Sequence, residues 1–261
     1  MLTLLSPAKK LDTEIVPTII PPTEPQFLKH TEILAKEAKK LSVQDLQDLM
    51  KLSDNLAQLN ADRFKGFVLN GRSNSAKPAA LSFNGNVYEG LDAGAWSKPT
   101  MQYAQSHLRI LSGLYGVLRP MDSIQPYRLE MGRKLKTARG SNLYQFWGNT
   151  IAEALMENMK SHKEKAILNL ASNEYFKSVD KKALCAPVLE VKFLNVKDGN
   201  ARNLMYYAKR ARGLMARWVM EKQINKAANL QGFNLDSYKF SKNKSSDNLL
   251  VFSRKQPPPK N

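Results

Sequence analysis

Arg119 and Arg128 sit among glycines and prolines in a stretch, residues 107–132, whose composition could hold a binding group rigidly in space. Gly113 and Gly116 permit backbone angles closed to other residues. Pro120 and Pro126 each lock one angle and push the preceding residue towards extended geometry. Two forked, permanently charged donors on a stiffened backbone suit a phosphate or a carboxylate. The bland alternative is that the glycines and prolines only make turns and the arginines face water. Other polar groups follow other apolar runs: Lys9 comes after residues 2–5, while Asn169, Ser172 and Lys177 come at and after 166–170. Strand ends are where α/β proteins place ligand-binding groups. Arg109 is the one charge in the apolar run 108–111. If Lys9, Arg109, Arg119, Arg128, Asn169, Ser172 and Lys177 converged, they would form an anion-binding cleft for a small phosphorylated or carboxylated molecule. A desolvated lysine there could act as base or Schiff-base nucleophile.

A second constellation lies at 208–223, where Lys209, Arg210, Arg212 and Arg217 stand beside Leu214, Met215, Trp218 and Val219. A helix there would offer its cations to nucleic-acid phosphates, with Gly213 allowing a close backbone approach. The same pattern also describes an amphipathic helix with a solvated charged side. Metal and nucleophile chemistry is nearly absent. His30, His107, His162 and Cys185 are the only nitrogen or sulfur ligands, and no pair has zinc, haem or iron–sulfur spacing. No cofactor is expected. GxGxxG, GxxxxGK[ST] and GxSxG are all missing.

The elements that must position these groups read as an interleaved α/β chain. Residues 2–5, 108–111, 166–170 and 188–196 read as strands. Helices are predicted over 27–40, over 42–52 capped by Ser42, over 54–67 capped by Asp54, from a Ser97 cap to 107, over 142–159 and over 208–223. Residues 79–83 read as a strand, and 198–200 as the turn of a hairpin from 188–196 into 202–207. A short helix ending at Gly232 and paired strands at 238–240 and 249–252 follow. Residues 70–78 form a Gly/Ser/Asn loop, and 256–261 a disordered tail. Without a repeat or a linker, the reading is one mixed α/β domain over 1–255, a central sheet flanked by helices.

Bulk composition adds the partner class. The 261 residues hold 40 Lys and Arg against 23 Asp and Glu, a formal charge of +17. Residues 197–261 hold 14 basic and 4 acidic residues, so +10 of that charge lies in the last quarter. Such a field favours polyanions, nucleic acid first. No apolar run reaches the ~20 residues of a membrane helix. A lone cysteine excludes an internal disulfide, and a cytoplasmic protein with no membrane partner is expected.

Six stretches together resemble the YaaA family of bacterial peroxide-stress proteins: LSPAK at 5–9, LRILSGLYGVLRP at 108–120, QPYRLEMG at 125–132, LYQFWG at 143–148, NLASNEYF at 169–176 and YAKRARGLM at 207–215. Asn173 stands where the family pattern has Asp. The resemblance implies an α/β fold with a positively charged cleft, binding of double-stranded or distorted DNA, and a helix-hairpin-helix-like element. That element is matched by position to the basic helix from Ala208 and the short helix ending at Gly232. It also implies a role in the response to hydrogen peroxide that limits free intracellular iron and protects DNA. The alternative function is an enzyme acting on a nucleotide-like or phosphorylated small molecule in a pocket lined by Lys9, Arg119, Arg128 and Asn169.

Overall fold

Apolar runs without alternation become central strands because both of their faces are covered. In the computed structural model, which describes residues 1–69 and 73–258, β1 (Leu2–Leu5), β2 (Leu108–Ser112) and β4 (Ile167–Asn169) are buried at every position. β3 (Gly116–Leu118) returns antiparallel beside β2. β5 (Val188–Lys197) alternates buried and accessible residues, as a strand covered on one face should. β6 (Asn200–Arg202) folds back on it, and β7 (Lys239–Phe240) and β8 (Leu249–Lys255) complete the sheet. The order is β7-β8-β5-β4-β1-β2-β3, with β6 also on β5. The five strands from β8 to β2 run parallel. The protein is a single mixed α/β domain with a mostly parallel central sheet flanked by helices.

β1 lies between β2, formed later on one side, and β4, formed later still on the other. The chain reverses direction across the sheet there, and the loops after the carboxyl ends of β1 and β4 meet, in the place where α/β sheets commonly bind ligands. Helices α1 (Leu28–Lys39), α2 (Val43–Met50), α3 (Asp54–Lys65), α4 (Asn86–Leu91), α5 (Lys98–His107), α6 (Thr150–Asn158) and α7 (Met205–Glu221) cover the sheet. Ser42 caps α2 reciprocally with Asp45, and Ser97 caps α5. α2 and α3 form a tight hairpin, turned by Lys51 in the left-handed region at φ 55°. α4 and α7 cross with backbones in contact: a Cβ on Gly213 would lie 1.8 Å from the Val87 carbonyl, and one on Gly90 2.3 Å from the Arg210 carbonyl.

Several elements differ from their sequence reading. Residues 79–83 are mostly a helical turn, Ala79–Ser82, started by Pro78, whose missing N–H costs nothing at a helix start. The helix read over 142–159 is two, Leu143–Trp147 and α6, because Gly148 takes φ 47°, ψ −124°. Ser53, not Asp54, precedes α3 as its cap residue. The hairpin turn uses Asp198 and Gly199, both at positive φ, but its second arm stops at Arg202 and α7 starts at Met205. The partner proposed for α7 in a helix-hairpin-helix is a six-residue 3-10 segment, Ala227–Gly232. Among the described residues, α2 and α3 do make a close α-helical hairpin. Residues 70–72 of the expected loop and 259–261 of the expected tail lie outside the described residues.

Candidate anion-binding site

Gly113 lets the segment carrying residues 129–130 pass directly over the end of β2, since a Cβ there would lie 2.3 Å from the Leu129 carbonyl. That close approach delivers Glu130 to the carboxyl edge, where its side chain is 4% exposed. Three cations converge on it. Arg128 Nε and Nη2 donate to Glu130 Oε1 at 3.2 and 3.1 Å, and Lys9 Nζ stands 3.7 Å from the same oxygen. Arg133 Nε faces Oε2 at 3.4 Å without the alignment of a hydrogen bond, so both atoms are buried and unpartnered. Behind Arg128, Arg63 on the last turn of α3 is half-buried: burial and then the Arg128 charge push its guanidinium pKa down.

Buried tyrosines form the wall. Tyr127 OH and Ser112 Oγ share a hydrogen at 2.6 Å, and Tyr88 OH donates to the Ser6 carbonyl at 2.9 Å. Burial raises the pKa of Tyr88, Tyr127 and Tyr175; neighbouring tyrosines add to the rise at Tyr88 and Tyr175, and Glu130 to that at Tyr127 and Tyr175. The loops after β1 and β4 meet at the switch point, where the Ser172 N–H donates to Ser6 Oγ at 2.8 Å. Ser172 holds the cap position of a helical turn, but its hydroxyl accepts from Ser6 instead of capping.

Of the other sequence-predicted residues, Asn169 and Arg212 share a second carboxylate, and Lys177 lies apart from them. Asn169 Nδ2 donates to both oxygens of Glu190 at 3.0 Å, and Arg212 from α7 feels the same carboxylate. Burial is the larger influence on Arg212 and lowers its pKa. Lys177 stacks over the Tyr144 ring at 5.1 Å.

Arg109 and Arg119 do not join the cleft. β3 runs antiparallel to β2, so Arg119, which follows Leu118, stands at the amino end of β2, where Arg109 also lies. Arg109 is 5% exposed; its guanidinium donates to Asn158 Oδ1 and to the Gln105 and Leu108 carbonyls, and burial pushes its pKa down to about 10. Arg119 pairs with Asp122 at 2.8 Å and donates to the Glu24 carbonyl. The two arginines of the central loop therefore point to opposite edges. On α7, Arg210 pairs with Asp236 at 2.8 Å and Arg217 with Asp92 and Glu221 at 3.0 and 2.7 Å, leaving Lys209 as the exposed cation of that set. The close approach at Gly213 is made by α4 of the same chain.

Sequence reasoning missed Glu130, Arg133, Arg63 and the tyrosines. Glu130 had a signal: it is an acid two residues from Arg128 within the quoted QPYRLEMG stretch. Nothing local marks Arg63, whose charge comes near that of Arg128 only through the packing of α3. Loop 132–140 was also passed over. It carries Arg133, Lys134, Lys136 and Arg139 with no acid, and Arg139 lies over the Phe146 ring at 5.2 Å. No group of three or more His, Cys, Asp or Glu among the described residues is placed to hold a metal ion, and no described helix is long and apolar enough to cross a membrane.

Lys9, Arg128, Glu130 and Ser172, which meet at the carboxyl edge, all come from the stretches behind the resemblance. Comparison with known proteins agrees: the model of the peroxide stress protein YaaA family matches residues 1–244. The chain belongs to the YaaA peroxide stress protein family. It is 51% identical over 259 residues to a UPF0246 protein of Phenylobacterium zucineum, covering 99% of this chain and 97% of that one. A UPF0246 protein of Maricaulis maris is 48% identical over 257 residues, covering 98% and 97%. One from Caulobacter vibrioides is 47% identical over 257 residues, covering 98% and 100%. None of these three names states an activity.

Proposed function

We propose that this YaaA-family chain is a cytoplasmic DNA-binding protein of the peroxide response, acting to limit free intracellular iron and protect DNA. The observation that carries the reading is a connected run of cations at the carboxyl edge. Lys9 and Arg133 meet at Glu130. Loop 132–140 continues with Lys134, Lys136 and Arg139 and no acid. Arg139 and Lys177 then flank the Leu143–Trp147 helix through Phe146 and Tyr144. Backbone phosphates are recognised by such runs, and the +17 charge draws them in. The α2–α3 hairpin, with exposed Lys51 at its turn, borders the same loop: Asp45 and Leu49 line a cavity with Lys134 and Lys136.

The test is a titration of duplex and bubble DNA at several salt concentrations, with the wild type and a Lys134→Ala, Lys136→Ala, Arg139→Ala variant. Salt-dependent binding that the variant loses is expected; no binding at low salt, or none lost in the variant, rules the reading out. The iron arm is read by electron paramagnetic resonance of chelatable iron in peroxide-treated cells, with and without the gene.

A further inference from the structure

We propose that the cavity of about 670 Å³ between the 22–25 segment, the start of α1 and the residues after α3 binds a small organic amine: Glu24 and Glu32 take its ammonium group, and Leu28, Phe67, Val68 and Tyr115 its apolar body. Size and lining are the first reason. Small-molecule sites hold roughly 300–1,000 Å³ and are mostly apolar, with a few polar groups that fix orientation. Here the buried rings of Phe67 and Tyr115 lie 6.4 Å apart, while Leu28 and Val68, in the same lining, stay 38% and 36% exposed. Apolar side chains left in water forfeit transfer free energy that a bound apolar group recovers.

Charge is the second. Among the described residues lining the cavity, Glu24 and Glu32 are the only charged ones, and neither carboxylate has an ion pair or a hydrogen bond to another described residue. On a chain with 40 Lys and Arg against 23 Asp and Glu, that is a local reversal of the field. The cavity beside Lys134 and Lys136 and the one beside Lys177 and Lys181 are lined by cations instead. Two unneutralised carboxylates repel anions and attract a cation, and aromatic rings add to the attraction for ammonium.

The walls are also fixed in advance. Thr23 holds the 22–25 segment through its hydroxyl, which donates to Asp122 at 2.6 Å, and through backbone bonds to Met121 and Ser123. Arg119 Nη2 donates to the Glu24 carbonyl at 2.8 Å. The Gln125 side chain bonds both backbone groups of Val68, at 2.8 and 2.9 Å, and its N–H donates to the Tyr115 hydroxyl at 3.0 Å. Walls set before the ligand arrives spare the entropy of ordering them on binding.

No lysine or arginine among the described residues lines this cavity, so it stands or falls independently of DNA binding along the basic run. The test follows amide N–H correlation spectra of the whole protein during titration with phenethylamine, phenylethanol and phenylacetate, which share a phenyl ring and differ in the charge of the end group. Shifts centred on Val68, Ala76 and Gln125 are expected, with phenethylamine binding about fivefold or more tighter than the alcohol and phenylacetate weaker than both. Glu24→Gln combined with Glu32→Gln should bring the amine to the affinity of the alcohol; neither glutamate is buried, so that variant keeps its Tm. Leu28→Lys, which places a cation of the protein's own at the mouth, should weaken the amine by about fivefold and leave duplex titrations unchanged. Shifts centred elsewhere, no shifts at millimolar amine, equal affinities of amine and alcohol, or a double variant that keeps the preference overturns the proposal.

Discussion

His162 and His107 stack at the amino edge, ring centroids 4.3 Å apart, with Tyr103 stacked on His107 in turn at 3.9 Å. His162 Nδ1 is buried without a partner. Burial, then the charges of His107 and the N-terminal ammonium, push the His162 pKa down to about 4; a hydrogen bond to the Ser106 carbonyl opposes them, and the Arg109 charge adds a smaller push down. The unfolded histidine takes up its proton first, near pH 6.5, so stability is complete above that value and is lost as the pH falls towards 4. His162→Phe keeps a ring in the stack and removes this titration. Its Tm should fall less between pH 6.5 and 4 than that of the wild type; parallel pH profiles would exclude His162 as the source. Arg109 supplies a second residue-scale test. Arg109→Met leaves the Asn158, Gln105 and Leu108 oxygens without their donor, at a cost of about 3 kcal/mol. Urea melts should show that loss while DNA titrations are unchanged, as fits a buried brace rather than a binding group.

Among the elements, the α4–α7 crossing is the most demanding contact. Gly90 and Gly213 let the two backbones touch, and a methyl group at Gly213 would meet both the Val87 carbonyl and the Leu91 N–H nitrogen at 2.8 Å or less. Neither is a flexible atom that can move aside. Gly213→Ala should therefore cost about 3 kcal/mol or more. In a chain of this size that is a Tm lower by roughly 6–12 °C, read by calorimetry. A variant of wild-type stability would show that the helices slide apart freely. The same crossing places Tyr88 against Ser6 and Arg212 near Glu190, so loosening it should also weaken whatever the carboxyl edge binds.

For the whole molecule, the consequence of the charge distribution is the salt response. If Lys9, Arg133, Lys134, Lys136, Arg139 and Lys177 neutralise about five phosphates, log affinity for duplex DNA should fall with log salt at a slope of about −4.5. Lys209→Ala should lower that slope by about one only if α7 also meets the duplex. A near-zero slope would mean that binding is not carried by phosphates.

Strand-forming runs, the Ser42 and Ser97 caps, the Asp198–Gly199 turn and the surplus of cations were all legible in the linear chain, because each rests on local periodicity, local backbone preference or a plain count. So was family membership, through six stretches spread along the chain. Which cations meet there was settled only in three dimensions. Arg119 and Arg128 are nine positions apart, yet the antiparallel return of β3 sends them to opposite edges of the sheet. Arg63 and Arg128 are 65 positions apart, yet packing of α3 brings their charges together. Strand direction and helix packing depend on contacts between distant segments, and it is those contacts that leave Glu130 as the centre of the site.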